Sequence, residues 1–230
     1  MPTSPQRRRA SGRSALRRRS NGAIAISFAL LPLLAGCVTG ERPTLEPVPQ
    51  TDDPAAATVI QRLDRADRIT FTATYEITPI GAAEPTVATV RQSGDRRRVT
   101  IGSVDFVTDG VDSTTCLLET GECFGFLDDA RVSDLGITNR FWSEGFATRL
   151  TVDAARRVGF STGTVDTIAG WPAVCAEVPV LGGDKLYCAL DEGVLARYYG
   201  ADVRIELTEY SNEVDETQLT ETPDTPDVDE

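Results

Sequence analysis

Polar and apolar positions alternate along this chain with two different periods, and the changes of period mark out its elements. In PAAATVIQRLDRAD, Val59, Leu63 and Ala66 recur at helical spacing behind Asp52, Asp53 and Pro54. That pattern predicts a short amphipathic helix with an acidic cap and a proline in its first turn. The period then falls to two. Ile69–Ile77 is rich in β-branched and aromatic residues, with Phe71 and Tyr75 on one face and Thr70, Thr72 and Thr74 on the other, which predicts a strand with one oily side. Strand-like runs at 86–92 and 97–107 follow, separated by Gly94-Asp95, and Asp109-Gly110 marks a further turn. Residues 115–118 and 124–127 flank Glu119-Thr120-Gly121-Glu122 as another hairpin. Then the pattern changes: Trp142, Phe146, Leu150, Ala154 and Val158 recur every four residues, one stripe of a helix or of two short helices broken near Thr151. Strand periodicity returns at 164–168, 173–180, 185–189, 194–199 and 203–210.

Both ends read differently from this block. Residues 38–53 hold Pro43, Pro47 and Pro49 without apolar periodicity, a tether composition. Residues 213–230 carry Glu213, Asp215, Glu216, Glu221, Asp224, Asp227, Asp229 and Glu230 and no base, which predicts a disordered acidic tail. A single globular domain is expected over residues 54–212 of the 230. Acidic side chains number 35 against 23 basic ones, so nucleic acid is not an expected partner. Histidine is absent, which removes the commonest general base and the commonest zinc ligand.

Ahead of the tether, Arg7, Arg8, Arg9, Arg13, Arg17, Arg18 and Arg19 precede a 14-residue apolar run from Ala23 to Gly36, the basic and apolar regions of a signal peptide over residues 1–36. At about 1.5 Å per residue the run is too short for a hydrocarbon core of about 30 Å. It ends in Leu34-Ala35-Gly36-Cys37, a tetrad that resembles the bacterial lipobox. That resemblance implies cleavage before Cys37 and attachment of diacylglycerol and a further acyl chain such as palmitate to that residue. Two or more chains suffice for stable anchoring at about 0.8 kcal/mol per buried methylene. The expected location is the extracytoplasmic face of the cell membrane. Cleavage would remove seven of the 23 basic groups and none of the acidic ones, so an anionic leaflet would repel the body of the protein over about 8 Å.

The four remaining cysteines, in an exported chain, read as disulfides. Cys116 and Cys123 are symmetric about the turn at Glu119-Thr120, and Cys175 and Cys188 about the turn at Leu181-Gly182. Each pair can face across its own hairpin at a Cα separation of about 5 Å, which a disulfide accepts. A redox or zinc role is disfavoured by the absence of CxxC and histidine.

No nucleophile elbow, phosphate loop or dinucleotide fingerprint appears, and neither catalytic residues nor cofactors nor metal ligands are expected. Asp105, Asp109 and Asp112, and Asp128, Asp129 and Asp134, read as solvated turn residues. Lys185, the sole lysine, reads as a solvated residue at a hairpin tip, and Arg96-Arg97-Arg98 as charge pairing along a strand.

The run Cys188–Tyr198 (CALDEGVLARY), followed by VRIELTEY at 203–210 and preceded by the helix leading into Phe71-Thr-Ala-Thr-Tyr75, resembles the LolA/LolB-like lipoprotein carriers and their LppX/LprG-type relatives. The resemblance implies an α+β fold, a strongly curved antiparallel sheet or open half-barrel with helices covering its concave face. It further implies an apolar cavity for an acyl-chain lipid or glycolipid ligand, with Phe71, Tyr75, Phe106, Phe124, Phe126, Trp142 and Phe146 as its lining. The hairpin disulfides are not general in that superfamily. The same rings could instead fill a solid core, leaving a cavity-free lipoprotein that contacts an envelope protein partner.

Overall fold

The computed structural model describes residues 51–220. The expected signal peptide 1–36, the lipidation site Cys37, the tether as far as residue 50 and the acidic end from residue 221 lie outside the described residues. Helix α1 (Pro54–Leu63) starts where Asp53 accepts the backbone N–H groups of Ala55 and Ala56 at 3.1 Å each, with Pro54 in the first turn. Its buried side is Ala56, Val59 and Leu63, the helical spacing visible in the sequence.

Eleven strands form one open antiparallel sheet. The first six, β1 (Phe71–Pro79), β2 (Thr86–Ser93), β3 (Arg96–Ile101), β4 (Val104–Asp109), β5 (Ser113–Leu117) and β6 (Glu122–Phe124), make a meander. The other five, β7 (Thr162–Ile168), β8 (Trp171–Val180), β9 (Gly183–Leu190), β10 (Leu195–Tyr199) and β11 (Val203–Ser211), make a second one. The order across the sheet is β6-β5-β4-β3-β2-β1-β11-β10-β9-β8-β7. Nine of the ten ladders therefore join strands that follow one another in the chain, and β1 with β11 is the exception. That seam runs from Thr72 opposite Ser211 to Pro79 opposite Val203, with a bulge at Thr74/Tyr75. The α+β class, with a curved sheet that does not close, is the one expected.

On one face of the sheet, Phe71, Ala73, Tyr75 and Ile77 from β1, Val90 from β2, Ile205 from β11 and Tyr187 from β9 are buried. A 3-10 segment (Asp129–Leu135) and helix α2 (Glu144–Ala155) connect the two meanders. Helices α1 and α2 pack on each other and on the β8 side of this face, while the 3-10 segment lies against β1. The four-residue stripe is one helix, unbroken at Thr151, whose hydroxyl is absorbed by the Ala147 carbonyl at 2.9 Å. Trp142 precedes that helix, and Val158 lies past its end in the open.

Two expectations change. The run 97–107 is two strands, β3 and β4, because Gly102 takes a left-handed φ of 55° and turns the chain inside it. The acidic segment expected to be free from residue 213 is docked as far as Leu219, which is buried. A single turn, α3 (Thr217–Thr220), lies against β2, β3 and β4. Arg96 pairs with Glu216, and the Arg98 guanidinium donates to the Gln218 carbonyl at 3.1 Å.

Both disulfides join facing residues, Cys116 to Cys123 with Cα atoms 4.1 Å apart and Cys175 to Cys188 at 4.0 Å. Replacing Cys175 and Cys188 together by alanine should lower unfolding free energy by about 3 kcal/mol in urea titrations. The shorter Cys116–Cys123 loop should cost about 2 kcal/mol by the same chain-entropy reasoning. Asp53 gives a pH signature. Burial works to raise its pKa, but the Ser161 hydroxyl, the capped N–H of Ala56, the Arg157 charge and the N–H of Ala55 outweigh it and hold the carboxyl below its ordinary value. A depressed folded pKa adds stability that is present above the unfolded value, near 3.9, and lost as pH falls through the folded one. The stability difference between the wild type and Asp53→Asn should therefore be largest near neutrality and shrink toward zero in acid, as followed by denaturant unfolding at successive pH values.

Candidate functional site

The seven aromatic side chains expected to line a hollow divide into two groups. Phe71, Tyr75, Phe106, Trp142 and Phe146 are buried in one continuous apolar core. All but Phe106 stand against other rings. Phe71 stands edge-on to Trp142 with centroids 5.3 Å apart, Tyr75 edge-on to Phe141 at 5.0 Å, and Phe146 tilts onto Tyr198 at 4.7 Å. Tyr187 and Tyr198 continue the chain of rings at 4.8 Å. Spacings of this kind belong to direct aromatic packing. Phe124 and Phe126 sit apart at the β6 edge, with Arg131 over the Phe124 ring and Phe126 57% exposed. Phe141, Tyr187 and Tyr198, which the strand and stripe patterns do not single out, are ring partners of Tyr75 and Phe146.

A polar cluster clamps α2 to the sheet beside these rings. The Lys185 ammonium, on β9, donates to both oxygens of Asp153 on α2 at 2.9 Å, and the Tyr187 hydroxyl donates to the same carboxylate. One turn earlier, Arg149 pairs with Asp202 at 2.6 Å and lies over the Phe146 and Tyr198 rings. Burial, then the hydrogen bond to Asp153, drives the Tyr187 hydroxyl pKa far above its ordinary value. Tyr198 is raised mainly by burial. These tyrosines stay protonated at neutral pH and serve as donors. Lys185 is thus no solvated hairpin residue: its stem reaches back from the turn to a carboxylate that is itself buried. Asp105 is corrected in the same way, buried and bound by the Arg98 Nε and the Thr100 hydroxyl at 2.9 Å each. Asp129 accepts from the backbone and side-chain nitrogens of Asn139 at 2.6 and 2.9 Å.

Outside the ring core, a groove of about 640 Å³ runs between α1 and α2. Ala57, Ile60, Ala147 and Val152 supply apolar walls, and Asp64 and Glu144 supply charge. A second open feature is the sheet edge at β7. Six of its seven residues are exposed, and Val165 is 82% exposed. The opposite edge, β6, is only three residues long.

No family model and no curated protein matches the chain. Among solved structures it is similar to MucB, at 19% identity over 72% of this chain and 62% of that one, with a TM-score of 0.47. It is also similar to a chain of the Pseudomonas aeruginosa MucA/MucB complex, at 17% identity over 72% of this chain and 60% of that one, TM-score 0.43. A putative outer membrane lipoprotein-sorting protein domain from Vibrio parahaemolyticus overlaps at 9% identity over 70% of this chain and 94% of that one, TM-score 0.29. The chain spans about three fifths of the MucB chain's length.

The clamp is testable. Asp153→Ala leaves a half-buried ammonium and a buried tyrosine hydroxyl without their acceptor, and should cost about 3 kcal/mol in urea unfolding. The double change Asp153→Ala with Lys185→Met removes the stranded charge and should recover part of that loss, which a double-mutant cycle would measure.

Proposed function

We propose that this chain is a membrane-tethered, non-catalytic binding module of the cell envelope that takes up an extended segment of a protein partner at its open β7 edge. The observation that carries this reading is the edge itself. A seven-residue strand with one row of backbone N–H and C=O groups facing outward is a template for one more strand. Edges of this kind are usually short, covered, or guarded by charge or proline; β7 carries no proline, and its one charge, Asp166, is paired with Arg197 at 2.7 Å. A partner segment laid there would gain main-chain hydrogen bonds along its length, with Val165 as an apolar contact.

The lipid-carrier alternative has one observation in its favour, the α1–α2 groove. Its volume falls within the range of small-molecule sites, and its walls are partly apolar. Against an acyl chain deeper inside stands the ring packing, which leaves Phe71, Tyr75, Trp142 and Phe146 in contact with their neighbours. The anchor at Cys37 belongs to the proposal and is read from the lipobox alone.

A photo-crosslinking side chain at Val165 in the native envelope should yield one discrete protein adduct, and the same group at Val111 in the β4–β5 turn should not. Native mass spectrometry of the Cys37→Ser chain should return the bare polypeptide mass. A co-purifying acyl-lipid mass that disappears on Ala147→Trp, with no adduct at position 165, would replace this reading with carriage in the groove.

A further inference from the structure

We infer that the corner formed by the α2–β7 connection and the tip of the β8–β9 hairpin is a membrane-contact surface, inserting Val158, Phe160 and Leu181 into the lipid interface. The inference rests on the anchor at Cys37 proposed above and is independent of the β7 partner. Large apolar side chains on this corner are laid open to a degree that folding does not explain: Phe160 is 97% exposed, Leu181 93% and Val158 67%. The two loops are held together. The Val158 N–H donates to the Pro179 carbonyl at 2.8 Å, which ties the connection to the hairpin that ends at Leu181.

The place where the described chain begins points to lipid as the occupant. Asp52 and Asp53 are pinned to Arg157 at 3.2 and 3.3 Å, within the same connection that carries Val158 and Phe160. Residues 38–50 alone separate Cys37 from Thr51. That stretch has a covalent reach of at most about 45 Å. An acyl anchor on Cys37 therefore holds this corner at high effective concentration beside the bilayer.

The charges at the corner are three basic, Arg156, Arg157 and Lys185, and five acidic, Asp52, Asp53, Asp153, Glu177 and Asp184, so insertion there is driven by apolar burial against a mild repulsion from an anionic leaflet. Arg157 is matched by Asp52 and Asp53, and Lys185 by Asp153. Arg156, Glu177 and Asp184 remain without an ion pair among the described residues. Exposed apolar tips on a rigid corner are what interfacial binding uses, with the bilayer taking up the apolar area that the fold leaves in water.

The measurement places an environment-sensitive fluorophore on Phe160→Cys in the full chain bound to vesicles of phosphatidylethanolamine and phosphatidylglycerol, with Val111→Cys as the comparison. Val111 is 91% exposed and lies at the other ends of the strands, in the β4–β5 turn. The expected result is a blue shift and protection from an aqueous quencher at position 160 alone. Equal quenching at 160 and 111 overturns the inference. The mass of the membrane-extracted chain reports the anchor separately. Should it carry no acyl group, flotation of the Cys37→Ser chain with these vesicles decides: Phe160→Ser with Leu181→Ser should reduce the floated fraction at least about tenfold, equivalent to about 1.4 kcal/mol, and no change overturns the inference.

Discussion

The β1–β11 seam is the interaction on which the rest of the structure depends. Every other ladder is a hairpin product, formed between strands a few residues apart. The seam joins residues more than 120 positions apart and turns two separate meanders into one sheet with one continuous apolar face. Loop-closure entropy opposes such a contact, so it has to be repaid by burial on both sides of it. The side chains that meet there do this: Phe71, Tyr75 and Ile77 from β1 and Ile205 and Leu207 from β11 are all buried.

The seam also dictates what the connection between the meanders must do. Leaving β6 at one edge and re-entering at β7 on the other, the chain has to cross the whole sheet, and it crosses over the apolar face. Phe141, Trp142, Phe146, Leu150 and Ala154 from this crossing are buried against the strands beneath. An open sheet with one oily face needs such a layer. Here the layer is pressed down by rings and latched by Asp153 and Arg149, so the space beneath α2 is occupied by side chains. What stays open lies at the periphery: the groove between the helices, the β7 edge and the corner at Phe160.

These peripheral features share a cause. The second meander has no strand beyond β7, and the described chain comes in at Thr51 beside it, so the edge, the oily corner and Thr51 fall close together. In the proposed reading the edge and the corner work from one region of the domain. Part of the acidic excess is carried on the docked segment at Glu213, Asp215 and Glu216, where Arg96 pairs with Glu216.

Much of this was legible in the sequence because it is governed by local periodicity. Helix α1 with its Asp53 cap, most strands and the helical stripe follow from spacing alone, and both disulfides follow from cysteines placed symmetrically about their turns. The anchor motif is equally local, though it lies outside the described residues. Apart from the local turn at Gly102 inside the run 97–107, the misses share one character: each depends on residues brought together from distant parts of the chain. Nothing near Lys185 announces Asp153, 32 positions away, and nothing near Phe146 announces Tyr187 and Tyr198. Whether seven aromatics surround a hollow or fill it is a question of mutual distance, which a pattern of oily and polar positions does not encode. Periodicity says which face of an element is apolar; only closure of the β1–β11 seam decides which apolar faces meet, and how much room is left between them.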